Sequence, residues 1–167
     1  MESNNGINGI RYDALLERSF SYCNESIKTI MLQCRRLQII EPEDSTFLFR
    51  PWADLRFLIL SLDRLEKSVK IARKIPSIAS EIDVALKIFH NSLPMLKKLR
   101  NVGEHFDAYA LDSGNDKNVD RRQLQVGTWN GVTLEWLNEK FNIIDAKNAS
   151  VELFITIQAI KNKFFHK

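Results

Sequence analysis

The chain is 167 residues long, 44% hydrophobic and 27% charged, with a formal net charge of +3. That suffices for one domain with its own core, and no second domain is required. The mild basic excess permits contact with nucleic acid without arguing for it. No apolar run approaches the ~18 residues of a membrane span, and no basic-then-apolar leader opens the chain, so a soluble, cytoplasmic protein with no membrane partner is expected.

Residues 1–9 are Asn- and Gly-rich and are expected to be loose, with a single helical domain over 10–167. From about Tyr12 to Leu37, the residues Leu15, Leu16, Phe20, Cys23, Ile27, Ile30, Met31 and Cys34 recur at helical spacing. Cys23 and Cys34 lie three turns apart, too far for a disulfide along one helix, and read as small core residues of a reducing compartment. Pro42 interrupts the pattern. A second helix is expected from near Pro51, with Trp52, Leu55, Leu58, Ile59, Leu62, Leu65, Val69 and Ala72 as its buried stripe. Its charges Asp63, Arg64, Glu66, Lys67 and Lys70 read as a solvated face.

A third pattern runs from about Ser80 to Ala110, and Pro94 predicts a kink or a fresh start near Asn91 and Ser92. With a fresh start, Ser92 is the N-cap and a separate helix covers Leu93 to Ala110. Leu111 to Arg122 is polar and reads as an exposed loop. Asn130-Gly131, between Leu124–Trp129 and Val132–Trp136, predicts a β-hairpin with a type I′ turn, and Phe141–Ile144 adds a possible third strand. Asp145 is the expected N-cap of the last helix, whose Ala149, Leu153, Phe154, Ile157, Ile160 and Phe164 face inward. The fold expected is mainly α: four to five antiparallel helices with a small β-insert at about 123–144, before the last helix.

The segment Arg100 to Tyr109 concentrates the chemistry. On a continuous helix Leu96, Leu99, Val102, Gly103, Phe106 and Ala110 share an apolar side, with Gly103 admitting a neighbouring backbone. Arg100, Asn101, Glu104 and His105 fall opposite. Asn101 and His105 then stack one turn apart, Arg100 and Glu104 are placed to pair, and Arg100 and His105 bracket the polar face at roughly 140°. His90, His105 and His166 lack metal-ligand spacing, the two Cys form no zinc-type pair, and no phosphate-cradling Gly loop is present. No metal or cofactor is therefore expected, and metal-free acid–base chemistry is what these residues offer. His90 and His166 read as incidental.

An Arg, a polar residue, three further residues and then a His, on a late helix of an all-α core, resembles the signature of the HEPN superfamily (higher eukaryote and prokaryote nucleotide-binding). Arg100, Asn101 and His105 match it position by position, and the fold-level likeness spans about residues 10–165. The resemblance implies a HEPN-like bundle and metal-independent RNA cleavage by a homodimer that juxtaposes two motifs. It also implies a toxin or phage-defence setting, with a cognate antitoxin or regulatory protein as partner. In that reading the RNA 2′-hydroxyl is the nucleophile, His105 the general acid or base, and Arg100 the fork that meets charge on the phosphate; Asn101 orients the ring or holds the motif. Glu104 and Tyr109 are candidate supporting residues. Members paired with nucleotidyltransferase antitoxins carry a Tyr two residues after the His; here that position is Asp107, and the nearest Tyr is Tyr109. Lys97, Lys98, Arg121 and Arg122 are candidates for steering a polyanion, and Trp129 and Trp136 either stack on bases or pack on the bundle. The alternative function is a non-catalytic HEPN-like module binding RNA, a nucleotide or a protein partner. The plainest one is a helical bundle whose Arg100–His105 face is merely solvated.

Overall fold

The computed structural model describes residues 6–47 and 49–166. Four long rods carry the fold. Helix α1 spans Tyr12–Leu37, α2 Arg50–Ala72, α3 Ala79–Ser92 and α6 Ile143–Phe165; two short helices, α4 (Leu96–Glu104) and α5 (Phe106–Ala110), continue the third rod. Side-chain pairs across the seams fix the directions. Ser19 meets Ser68 and Arg36 meets Asp54, so α2 runs back along α1. Arg73 meets Asp83 and His90 meets Glu66, so α3 reverses α2. Glu81 pairs with Lys163, and Glu17 with Lys161, so α6 runs antiparallel to both α3 and α1. The result is an up-down-up-down bundle, in which the α2–α3 link is short and the meander lies in the long link from the third rod to α6.

Apolar periodicity accounts for the rods. Leu15, Leu16, Cys23, Ile30 and Cys34 of α1 share one buried cluster with Leu55, Leu58, Leu62, Leu65 and Val69 of α2, and Ile27 is buried as well. Met31, on the edge of the α1 pattern, stays partly exposed. At the head of α2, Arg50 donates to Asp44 and Asp54 and to the carbonyls of Arg36 and Ile39, stitching the α1–α2 connection. No described helix is long and apolar enough to cross a membrane.

The small β elements depart from the sequence reading in detail. Gly6–Ile7 (β1) and Ile10–Arg11 (β2) pair through a turn at Asn8-Gly9, both at positive φ, so this part of the stretch expected to be loose is a hairpin; residues 1–5 lie outside the described residues. Gly127–Trp129 (β3), Thr133–Trp136 (β4) and Glu139–Asn142 (β5) form an antiparallel meander before α6. At the first turn of the meander only Gly131 has positive φ, and the Asn130 side chain accepts from the backbone N–H groups of Val132 and Thr133. Gly131 is therefore the first central residue of a II′-like turn, one position later than a type I′ reading of Asn130-Gly131 requires. The I′ geometry occurs instead at Leu137-Asn138, where both residues have positive φ between paired Trp136 and Glu139. Strand β5 starts two residues earlier than expected, and Asn142, not Asp145, caps α6: its side-chain oxygen accepts from Ile144 and Asp145 N–H.

Candidate functional site

Helix α4 buries Leu96, Leu99 and Val102 and leaves Lys97, Gly103 and Glu104 in water. Its start differs from the expectation: Ser92 ends α3, its hydroxyl donating to the Ile88 carbonyl, and Pro94 sits in the turn before Leu96. Its end differs more. The rod does not continue to Ala110 but breaks at His105, whose φ of −117° and ψ of 34° lie outside the helical region. Beyond the break, Tyr109 turns inward, 2% exposed, while Phe106 and Leu111 are 64% and 79% exposed. Phe106 and Ala110 thus leave the apolar side assigned to them on a continuous helix.

Tyr109 fixes the new course of the chain. Its hydroxyl accepts from Asn101 Nδ2 and from the Asp116 backbone N–H, both at 3.2 Å. Its ring lies so close to Gly114 that a Cβ there would approach to 2.2 Å. Asn101 therefore holds Tyr109, and through it the loop after α5, rather than the His105 ring. Tyr109 itself is a core residue. Gly103 admits no backbone: the nearest atom to a Cβ built there is Trp136 Cη2, at 4.0 Å.

Arg100 points back toward α2. Its Nε faces Asp63 Oδ2 at 3.5 Å, buried and without a proper hydrogen bond, and the side chain is 24% exposed. Asp63 thereby takes the place expected for Glu104, which is solvent-exposed. Asp63 also meets Lys67 at 2.6 Å. One turn along, Glu66 accepts from Lys70 and from His90 Nε2. Burial pushes the Glu66 carboxyl up, but the bonds from Lys70 and His90 outweigh it and hold the group below its usual range. Asp63 and Glu66 thus form a half-buried polar seam between α2 and the third rod, whereas Arg64, Lys67 and Lys70 are exposed, as the solvated face read from the sequence requires. The position of Asp63 and Glu66 directly beside the buried Leu62 and Leu65 was the signal available for the seam.

His105 is exposed, and among the described residues no ion pair or side-chain hydrogen bond engages its ring. The four candidate steering cations divide. Lys98 donates to the Leu137 carbonyl and to Glu139, tying α4 to the meander. Arg121 pairs with Asp112, and Arg122 grips Asp120, whose carboxyl it pulls down to about 2. Lys97 alone of the four is outside such pairs among the described residues. Trp129 and Trp136 pack on the core, and the Trp136 indole N–H donates to the Leu124 carbonyl.

The segment thus presents an exposed imidazole at a helix break, a guanidinium on the preceding helix turned toward Asp63, and exposed apolar Phe106 and Leu111 at the two ends of α5. Chemically it can exchange a proton and meet an anion. The comparisons with family models, with curated proteins and with solved structures find no match to this chain.

Proposed function

We propose that the chain is a HEPN-type helical protein acting as a metal-independent endoribonuclease, with Arg100 and His105 of two copies forming one site. The observation that carries the proposal is the exposed His105 at the α4–α5 break, followed by exposed Phe106 and, at the end of α5, exposed Leu111, apolar surface suited to closure against a second copy. The reaction follows from these groups. The RNA 2′-hydroxyl attacks the adjacent phosphorus and its proton passes to one His105. The bond from phosphorus to the 5′-oxygen breaks, and that oxygen takes a proton from the other copy's His105. The products are a 2′,3′-cyclic phosphate and a 5′-hydroxyl. Asp63 faces Arg100 only at Nε, 3.5 Å away and without a proper hydrogen bond, and the Nη end of the fork is the part that would meet the phosphate oxygens. A toxin or phage-defence role, with its cognate antitoxin, belongs to the same proposal and rests on the resemblance alone.

A second reading has its own support. Arg100 and Asn101 each already serve the fold, one toward Asp63 and the other toward Tyr109, as expected of a HEPN-like binding module without catalysis. Purified wild type, His105→Ala and Arg100→Ala, incubated with a mixed RNA pool in EDTA, separate the two. Cleavage by the wild type that leaves cyclic-phosphate ends, falling by about 10²-fold or more in His105→Ala, is the expected outcome. Absence of cleavage by a folded, dimeric wild type would transfer the assignment to the binding module.

A further inference from the structure

A hollow of about 590 Å³ lies between the first half of α2 and the meander. Its walls are Phe49, Trp52, Leu55, Ile59, Leu124 and Leu134, together with Trp136. The volume falls within the range of small-molecule sites, and the lining is of the kind such sites use, mostly apolar with few polar groups.

Two features make it a formed site rather than a slack groove. Trp52 is set against Gly127, where a Cβ would come within 2.7 Å of the indole, so the glycine lets the helix and the meander meet at that wall. The Trp136 indole is oriented by its bond to the Leu124 carbonyl, 3.1 Å long. Both aromatic walls are therefore fixed before a ligand arrives, which reduces the ordering cost of binding.

The charge at the site selects the ligand. Arg56 is the one ionisable side chain in the lining, exposed at the mouth, and no carboxylate pairs with it among the described residues. Elsewhere on the surface arginines commonly have acidic partners, as Arg64 has Glu25 and Arg73 has Asp83. We propose that this hollow binds a small, planar aromatic monocarboxylate, its rings between Trp52 and Trp136 and its carboxylate on the Arg56 fork.

The probe is 2-naphthoate, with naphthalene-2-methanol as its neutral counterpart, titrated into the full chain. The three tryptophans give three indole N–H resonances. Saturable shifts of the Trp52 and Trp136 signals, with the Trp129 signal unmoved, are expected. Arg56→Gln should weaken 2-naphthoate about fivefold, as befits an exposed ion pair, and leave the neutral probe unchanged. Gln125→Trp, made at an exposed lining residue to fill the hollow from its rim, should abolish binding of both probes while the melting curve remains cooperative. The assignment is overturned if no saturable shift occurs, if Trp129 alone responds, or if neither substitution changes binding. Equal weakening of both probes by Arg56→Gln would overturn the carboxylate specificity.

Discussion

Tyr109 joins the two ends of the segment that carries His105, because Asn101 lies on one side of the break and Asp116 on the other. Tyr109→Phe removes both bonds and leaves the Asn101 amide without its partner, a loss of about 1–2 kcal/mol in urea unfolding. Gly114→Ala forces a methyl into the Tyr109 ring and should cost about 1–3 kcal/mol. Gly103→Ala has the opposite sign. It meets only an ordinary contact with Trp136, so better helix propensity should stabilise the protein by up to ~1 kcal/mol. His105→Ala, at an exposed side chain with no partner among the described residues, should stay within about 0.5 kcal/mol of wild type, so that loss of the proposed RNA cleavage in that variant would report chemistry rather than unfolding. The sequence made Arg100, Asn101 and His105 visible as residue types at a spacing. It did not reveal their partners, since Asp63 lies on another helix and nothing local distinguishes Tyr109 from Phe106 as the one to enter the core.

Helices were the legible elements. The apolar recurrences of α1, α2 and α6 predict their cores because period and burial coincide along most of each rod, with Met31 of α1 the exposed departure. Breaks and turns were less legible where the chain adopts them without the usual residues. Nothing at His105 resembles a proline, and Leu137 sits at positive φ although a leucine seldom does; its burial and the Lys98 bond to its carbonyl hold it there. The seam on α2 carries a pH signature. Because the folded state holds Glu66 below its ordinary value of 4.5, the associated stability is present above that value and is lost as pH falls through and below it. Glu66→Gln should therefore lower the melting temperature near neutral pH, and the difference from wild type should shrink between pH 6 and pH 3. A difference that stays constant over that range would place the effect in packing instead of charge.

Across the whole molecule, one continuous core links all four rods with the inner face of the meander. Cys23 and Cys34 lie inside it as free thiols, and burial pushes them up to about 12 and about 11. Ellman's reagent should consequently label neither at a useful rate in the native protein and both once urea unfolds it; rapid labelling of the native state would show that the core opens locally.

The seams of this bundle also differ in how far apart in the chain their partners lie. Arg36 meets Asp54 only 18 residues on, whereas Cys34 reaches the Ile143 carbonyl across 109. The α1–α2 hairpin can assemble on its own local contacts, but α6 has to close a loop containing everything between, including the meander. Folding should then proceed with α6 docking last, and until it docks the faces of α1 and α3 that it covers stand open to water. Substitutions in the α6 interior, such as Ile157→Val, should accelerate unfolding far more than they slow folding, whereas Leu58→Ala in α2 should slow folding itself.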